Sequence, residues 1–195
     1  HTTEDVHYTQ FMAKDNVPFH TIFFPAVILG VDDGWKQPDY IKAFNWLTYE
    51  RGKFSTSQDR GVFMLDALDL LPADYWRYWL LANAPESDDA DFTWEVFGVG
   101  INADLVATFG NFVNRILKFS SGRFGAFLPK SDLEDDVLEL NLYRELSEKI
   151  ASYESNLETL SFRKALKDLK EIWRAGNVYL AEAEPWKLPK NDPRC

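Results

Sequence analysis

The chain has 195 residues, of which 46% are hydrophobic and 15% aromatic, and its formal net charge is −10. This composition can fill one large folded domain or two small ones, and it excludes a disordered chain. The acidic balance excludes a uniformly basic nucleic-acid-binding protein, so any polyanion site must be a local one.

The first sixty residues predict one βαβ unit. The segment "VHYTQFMA" is typical of a short buried strand, and "KDNVPFHTIFFPAVILG" predicts a loop followed by a helix that ends near Gly30. The segment "IKAFNWLTY" predicts the second strand. A strand, helix and strand of this length form a parallel pair with a crossover. One unit is only part of a parallel sheet, so we expect an exposed apolar face and a chain that belongs to a longer protein.

The remaining residues predict helices. The segments "VFMLDALDLL" and "PADYWRYWLLAN" have apolar residues at helical spacing, and "APESDDADFTW" is interpreted as an acidic connector. Three long amphipathic segments follow at residues 94–118, 135–160 and 161–184, with "SSGRFGAFLPKSD" as the linker after the first. We therefore predict a connecting region over 61–92 and an antiparallel helical bundle over 93–195.

The loop "YERGKFSTSQDRG", residues 49–61, follows the second predicted strand directly. Lys53 supplies a cation, and the hydroxyls of Ser55, Thr56 and Ser57 supply donors. Groups of this kind, brought in by a closing loop, stabilise the charge that develops on a pyrophosphate. From the residues alone, a solvated surface turn is the more common interpretation, and both remain open at this point.

Several segments in order resemble one known family. "GKFSTSQ" after a strand resembles the KMSKS signature of class I aminoacyl-tRNA synthetases. "QFMAKDNVPFHTIFFPA", "LPADYWRYWLL", "DFTWEVF", "LVATFGNFVNRILKF" and "AEAEPWKLPK" resemble methionyl-tRNA synthetases. The resemblance covers nearly the whole chain. It implies an α/β piece of a Rossmann-type parallel sheet over 1–60, a stem-contact region over 61–92 and a mainly α-helical anticodon-binding domain over 93–195.

The resemblance implies roles for residues of the strand-rich part. Lys53, Ser55 and Ser57 match the first lysine and the two serines of the signature that grips the ATP phosphates. Thr56 stands where the family usually has its second lysine, which is a departure from the pattern. Asp15 matches an acid near the ATP ribose, with a helix N-cap as the alternative, and the backbone near Leu47 would face the adenine.

The resemblance also implies a methionine pocket and an anticodon reader. His20 and Phe24, at i and i+4 on a helix, match residues that line the methionine pocket, with a core histidine as the alternative. Asn111 and Arg115 share a helix face and would read an unstacked base, on which Trp186 would stack. The alternatives are a surface ion pair for Arg115 and a packing role for Trp186.

The helix "SFRKALKDLKEIWR" combines an apolar stripe with outward cations. We assign the stripe to the core and the cations to a solvated face, with contacts to tRNA phosphates as the alternative. No pair of Cys and His has the spacing of a zinc site, so we expect no metal site in this segment.

The sequence therefore predicts ATP-dependent activation of methionine as methionyl-adenylate and its transfer to tRNA(Met), whose CAU anticodon the helical domain reads. ATP with Mg²⁺ would be a substrate. The single Cys195 excludes an internal disulfide and favours the cytoplasm. No membrane partner is expected, and the oligomeric state is left open. The alternatives are a leucyl- or cysteinyl-type synthetase, or a non-catalytic tRNA-binding module. Because no HIGH-type motif is present, we expect these 195 residues alone to be inactive.

Overall fold

The computed structural model describes residues 6–127 and 137–189, so Cys195 and the end of the predicted linker lie outside the described residues. By its internal contacts the chain forms two compact units. The strand unit contains the chain up to Leu71 together with Asn83–Thr93. The helical unit contains Pro72–Ala82 together with the chain from Trp94 onward.

The two units interleave along the chain, whereas the sequence predicted one connecting region over residues 61–92. The interleaving has a physical cause on each side of Asn83. The helix before it carries aromatic side chains that pack on later helices, and the strand after it pairs with an earlier strand. The functional boundaries at residues 60 and 92 stay a prediction.

The predicted βαβ unit is present in the strand unit. Strand β1 (Thr9–Ala13) is followed by a 3₁₀ turn, a π-helical segment (Phe19–Phe23) and helix α1 (Phe24–Val31). Strand β2 (Tyr40–Phe44) then pairs in parallel with β1, with Thr9 opposite Tyr40. Helix α1 ends where Asp32 adopts a left-handed conformation, two residues after the predicted stop at Gly30.

The second predicted strand is in fact two strands, so that prediction was wrong in one respect. Strand β2 ends at Phe44, and β3 (Leu47–Tyr49) pairs in parallel with β4 (Ala90–Phe92) in a separate two-stranded sheet. The break occurs because Asn45 N donates to Pro85 O and Trp46 N donates to Asp89 Oδ1, at 2.8 and 2.9 Å. Strand β4 lies inside the segment that was interpreted as an acidic connector.

The strand unit leaves much of its apolar surface in solvent, as an incomplete sheet is expected to do. Met12 and Phe92 are buried, at 8% and 3% exposure, but many large apolar side chains are not. The exposed ones on the βαβ unit include Phe11, Phe19, Ile22, Phe23, Val27 and Leu29. Exposed large apolar side chains in such number are what an incomplete sheet leaves uncovered.

The helical unit confirms the predicted amphipathic helices. Helix α3 (Ala73–Ala82) follows the short helix α2 (Met64–Leu70) of the strand unit. Helix α4 (Trp94–Ile101), a π-helical segment (Asn102–Gly110) and α5 (Asn111–Phe124) form one continuous helix, six residues longer than predicted. Helices α6 (Val137–Glu158) and α7 (Phe162–Ala183) follow, and a 3₁₀ turn (Pro185–Lys187) ends the described chain.

Aromatic side chains form much of the core of the helical unit. Trp76 stacks on Phe97 at 4.6 Å, and Tyr78 stacks on Trp173 at 6.0 Å. On α7 the apolar stripe is buried at Ala165 and Leu166, whereas Arg163, Lys164 and Lys167 are exposed. The expected division into a core face and a solvated cationic face is observed at these positions, but Lys170, also expected to face outward, pairs with Asp104 instead.

Within the described residues, the helix Trp94–Phe124 is long and apolar enough to cross a membrane by length and composition alone, with 31 residues and a mean hydropathy of 1.4 in its most apolar window. Phe97 on this helix is only 3% exposed and contacts Trp76, so part of that apolar composition belongs to the core. The expectation of no membrane partner stays a prediction.

Candidate functional site

The loop of residues 49–61 begins with a tight turn at the end of β3. Tyr49 and Gly52 exchange two backbone hydrogen bonds of 2.8 and 3.0 Å, which enclose Glu50 and Arg51 in a two-residue turn. Both enclosed residues have positive φ, at 46° and 62°. The turn sets the direction in which the chain leaves the strand towards Lys53.

The tip of the loop brings two of the three predicted hydroxyls together. Ser55 and Arg60 form an antiparallel bridge with two hydrogen bonds of 2.8 Å, and this bridge encloses Thr56 and Ser57. The Ser55 and Ser57 hydroxyl oxygens lie 3.2 Å apart. Lys53, between the turn and the bridge, is exposed, and its side chain makes no hydrogen bond or ion pair with the described part of the chain. Its ammonium group is therefore available to an anion.

Arg60 and Asp91 fix the base of this loop, and sequence reasoning assigned no role to either. Arg60 Nη2 donates to Tyr49 O and Glu50 O, both at 3.0 Å. The Asp91 carboxylate on β4 accepts from Arg51 N at 3.0 and 3.1 Å. No local motif points to them, because both contacts depend on how the loop folds back and on the pairing of β3 with β4.

His20 contacts β1, whereas Phe24 lines a cavity that His20 does not line, so their predicted shared role stays a prediction. His20 Nδ1 lies 2.9 Å from Gln10 Oε1, and Gln10 Nε2 donates to the Tyr8 hydroxyl at 2.6 Å. Phe24 lines a cavity of about 320 Å³, of which Tyr8 and Ile28 are also part. The polar chain from Tyr8 through Gln10 to His20 was not anticipated, because it joins β1 and the residue before it to the π segment ten residues later.

The hydrogen bond that closes the π segment sets the spacing of His20 and Phe24. Phe24 N donates to Phe19 O, five residues earlier, so this turn is wider than an α-helical turn. Single π turns occur frequently at functional sites. The two predicted methionine-pocket residues are therefore placed by a local irregularity that their i, i+4 spacing does not reveal.

Asp15 and Leu47 lie beside two different strands of the strand unit, β1 and β3. Asp15 lies in the 3₁₀ turn that follows β1, is exposed, and does not cap a helix. Leu47 is the first residue of β3 and lies opposite Ala90. Next to Asp15, the Lys14 ammonium donates to Asp89 at 2.9 Å, and this hydrogen bond, with that from Trp46 N, lowers the pKa of Asp89.

The helical unit places Arg115 directly against Trp186. The guanidinium carbon of Arg115 lies 5.2 Å from the centre of the Trp186 ring, within cation–π range. Trp186 is 47% exposed, so one part of its surface holds Arg115 while another is open to solvent. A cavity of about 350 Å³ adjoins the pair and is lined by Asn114, Arg115, Lys118, Phe119, Leu180, Pro185 and Trp186.

Asn111, the third predicted anticodon residue, does not line this cavity, whereas Asn114 does. Asn111 N donates to Thr108 O and Val106 O, and these bonds close the π segment that precedes α5. Asn177 on α7 donates to Thr108 O as well, at 3.1 Å. Asn177 on α7 therefore anchors the chain at Thr108, three residues before the start of helix α5, which carries Arg115.

A polar network joins three helices of the same unit. The Tyr78 hydroxyl donates to Asp104 Oδ2 at 2.9 Å, and Lys170 Nζ lies 3.3 Å from the same oxygen. Burial, followed by the hydrogen bond and charge of Asp104, raises the pKa of Tyr78 far above its ordinary value. The cation of Lys170 is therefore used inside the unit and not on the solvated face.

The described residues contain no cluster of three or more His, Cys, Asp or Glu side chains arranged to hold a metal ion. The loop offers one ammonium group and hydroxyls, which bind phosphate oxygens directly.

Comparison with known proteins identifies the family of both units. A family model described as tRNA synthetases class I (M) matches residues 1–117, and one described as the anticodon-binding domain of methionyl tRNA ligase matches residues 130–195. A methionine–tRNA ligase from Streptomyces avermitilis is 58% identical over 188 residues, which is 96% of this chain and 33% of that protein. One from a Jannaschia species is 52% identical over 190 residues, 97% of this chain and 33% of that protein.

Solved structures show the same fold. A Mycobacterium tuberculosis methionyl-tRNA synthetase bound by methionyl-adenylate aligns with a TM-score of 0.84 and 22% identity, covering 96% of this chain and 37% of that one. Its apo form aligns with a TM-score of 0.78. The chain spans about a third of the length of the curated relatives it matches. The chain belongs to the methionine-type class I tRNA synthetases.

Proposed function

We propose that the intact protein activates methionine with ATP and transfers it to tRNA(Met). The observation that carries the proposal is the loop of residues 49–61 in a chain of this family. There Lys53, which pairs with no described residue, and the adjacent hydroxyls of Ser55 and Ser57 follow a parallel strand. We further propose that the reaction takes place in the cytoplasm, as expected of a translation enzyme. Family membership and the geometry of the loop support a phosphate clamp over a solvated turn.

The proposed reaction begins when a methionine carboxylate oxygen attacks the α-phosphorus of ATP. The new bond forms methionyl-adenylate, and the bond to the pyrophosphate breaks. Lys53 and the hydroxyls of Ser55, Thr56 and Ser57 would bind the departing phosphates, whose charge grows in the transition state. Mg²⁺ bound to ATP would neutralise part of the same charge.

The other strand-unit residues would bind the two substrates. His20 and Phe24 would line the methionine pocket, where the ring of Phe24 suits a thioether side chain. Asp15 would accept hydrogen bonds from the ATP ribose. Its carboxylate is exposed and does not cap a helix, which supports that role. The backbone at Leu47 would contact the adenine.

The helical unit would read the CAU anticodon. Arg115 and Trp186 already form a cation–π pair beside a cavity, which supports a role in holding an unstacked base. Asn111 would contribute an amide to base recognition, and Asn114, which lines the cavity, is a further candidate. The outward cations of α7 would at most contact phosphates.

The activity is tested by methionine-dependent exchange between ATP and pyrophosphate in the intact protein. Lys53→Met should lower kcat roughly 100- to 1,000-fold, the usual effect of removing one such donor. Gln58→Ala, an exposed change at the loop tip, is the matched control and should leave kcat unchanged. Exchange stimulated by leucine or cysteine in place of methionine would favour another class I synthetase.

The 195 residues alone are proposed to be inactive, because a second ATP-binding motif of the HIGH type is not among them. Methionine-dependent exchange by this chain would contradict that proposal. A non-catalytic tRNA-binding module would instead show anticodon binding without any exchange in the intact protein, and its binding would survive deletion of residues 1–60.

The anticodon reader is tested with a stem-loop that carries CAU and one with a changed first anticodon base. Trp186→Ala and Asn111→Ala should each abolish the preference for CAU, and loss of one stacked base weakens binding by about 1–3 kcal/mol. Lys187→Gln, in the same 3₁₀ turn but paired with Glu184, is the control. Binding that ignores the anticodon and only falls with salt would indicate a generic electrostatic surface.

A further inference from the structure

The turn at the base of the loop is held in an unfavourable backbone conformation. A two-residue hairpin turn with positive φ at both central residues favours Asn-Gly or Asp-Gly, because other side chains crowd the backbone there. Here the two residues are Glu50 and Arg51, at φ of 46° and 62°. Strained backbone of this kind persists only where its surroundings hold it, and it concentrates at functional sites.

Arg60 supplies one of the two restraints. A single guanidinium nitrogen donates to Tyr49 O and Glu50 O, so the cation lies against the carbonyls of the turn. The backbone of Arg60 also pairs with Ser55 on both sides at 2.8 Å. One residue therefore ties the end of the loop to its beginning, with Lys53 between the two attachment points.

Gly52 has no side chain, and this gives the Arg60 guanidinium the space to reach the turn. A Cβ atom added to Gly52 would collide with the Arg60 guanidinium. The φ of Gly52 is not positive, so its backbone does not require glycine. The glycine is explained by the close approach of Arg60.

Asp91 supplies the second restraint from a different element. Both carboxylate oxygens accept from Arg51 N, and one also accepts from the Thr48 hydroxyl. Asp91 lies in β4 opposite Thr48, so the parallel pairing of β3 with β4 delivers the carboxylate to the turn. The anion thus fixes the amide of the very residue whose conformation is strained.

We propose that Arg60 and Asp91 are positioning residues that hold the strained turn and thereby fix Lys53 relative to β3. This inference rests on the proposed function, in which Lys53 binds the phosphates of ATP. Neither residue needs to touch the substrate. Their effect is to keep the loop pre-organised, so that less ordering remains when ATP binds.

The test uses the intact protein and a rescue design. Arg60→Met and Asp91→Ala should each lower kcat of methionine-dependent ATP–pyrophosphate exchange about 10- to 100-fold, with the KM for methionine unchanged. Adding Glu50→Asn and Arg51→Gly, which make the turn favourable by itself, should restore kcat to within about threefold of wild type. Asp88→Ala, an exposed carboxylate on the same segment, is the control and should leave kcat unchanged.

Two results would overturn the inference. One is wild-type kcat in both single variants. The other is lost activity that the Asn-Gly turn does not rescue, since that would mean direct contact with substrate or a loss of folding. Thermal unfolding midpoints of all variants identify the folding defect.

Amide hydrogen exchange at Arg51 gives a readout that needs no activity. Asp91→Ala should speed exchange of the amide of residue 51 at least tenfold, and the Asn-Gly turn, in which residue 51 is glycine, should slow exchange at that position again. If exchange changes in this way but wild type forms no adenylate, the proposed function fails while the restraint on the turn stands. If Asp91→Ala leaves the exchange rate of the Arg51 amide unchanged, the restraint itself is absent.

Discussion

At the scale of single residues, the two glycines that bound the loop have different reasons to be glycine. Gly61 has a φ of 148°, and an added Cβ would lie 2.5 Å from Phe54 Cδ1, so its backbone and its packing both favour glycine. The backbone of Gly52 does not require glycine, but its packing favours it, because an added Cβ would collide with the Arg60 guanidinium. Composition reveals the glycines but not the side chain that folds back onto one of them.

Gly52→Ala should therefore damage the loop without needing any backbone change. The added methyl group displaces the Arg60 guanidinium from the turn, so we expect kcat of adenylate formation to fall about as far as in Arg60→Met. Gly122→Ala, in exposed helix α5 with open space around it, should instead stabilise the protein by about 0.5–1 kcal/mol. Pyrophosphate exchange and thermal unfolding of the two variants check this contrast. Equal kcat in Gly52→Ala and wild type would contradict it.

Arg115 should not be replaceable by lysine, although the charge is the same. Only a planar guanidinium both stacks on Trp186 and presents donors in a fixed plane. Arg115→Lys should reduce the preference for a CAU stem-loop about tenfold, while the slope of log K against log salt stays the same because the charge is kept. A full preference for CAU in this variant would show that charge alone suffices. Lys118→Gln should do the opposite and lower the salt slope.

At the scale of secondary-structure elements, local pattern predicted the helices and β1 well but not the division of the second strand. Residues 40–49 are β-prone throughout, so nothing local indicates a break at Asn45. The break comes from Pro85 and Asp89, some forty residues later, which accept the hydrogen bonds of Asn45 and Trp46. Strand β4 was missed for the same reason, because three residues in an acidic stretch form a strand only when β3 lies beside them.

The same distinction applies to the candidate site: the sequence predicts residues that a local motif marks, but not residues whose role depends on long-range contacts. Residue type and local motif were enough to predict a chemical role for Lys53, His20 and Trp186. The contacts of Arg60 and Asp91, and the cavity beside Asn114, arise from elements far apart in sequence. The sequence could therefore name groups that would touch ligands, but not the groups that hold them in place.

The Tyr78–Asp104 hydrogen bond between α3 and the π segment should give the helical unit a distinctive pH dependence. An unfolded tyrosine titrates at about pH 10, whereas burial and Asp104 raise the pKa of folded Tyr78. The stabilisation is therefore complete below pH 10 and is lost as the pH rises above it, since the unfolded chain then releases a proton that the folded state retains.

Tyr78→Phe should accordingly lower stability by roughly 2 kcal/mol below pH 10, as expected for a hydrogen bond to a charged group. The difference from wild type should shrink as the pH rises above 10. Urea unfolding at pH 8 to 11 measures this, with Tyr143→Phe, 51% exposed, as the control. A difference that stays constant with pH would mean that Tyr78 ionises normally.

At the scale of the whole chain, the interleaving of the two units decides where the molecule can be cut. The predicted domain start at residue 93 separates α3 from the helices on which it packs. Trp76 and Trp79 would be lost, and they lie 4.6 and 6.0 Å from the ring of Phe97. Truncating one buried tryptophan typically costs about 3–5 kcal/mol, so this cut removes a large share of any domain's stability.

A fragment of residues 72–195 should therefore unfold cooperatively on heating, whereas one of residues 93–195 should bind hydrophobic dyes and show no sharp transition. Trp76→Ala and Trp79→Ala in the longer fragment should together reproduce most of that loss, which shows that the packing of α3 is responsible and not chain length. Circular dichroism and dye binding measure both. Equal unfolding of the two fragments would show that α4 to α7 are self-sufficient. The anticodon-binding domain would then begin at residue 93, and α3 would belong to the connecting region as the sequence predicted.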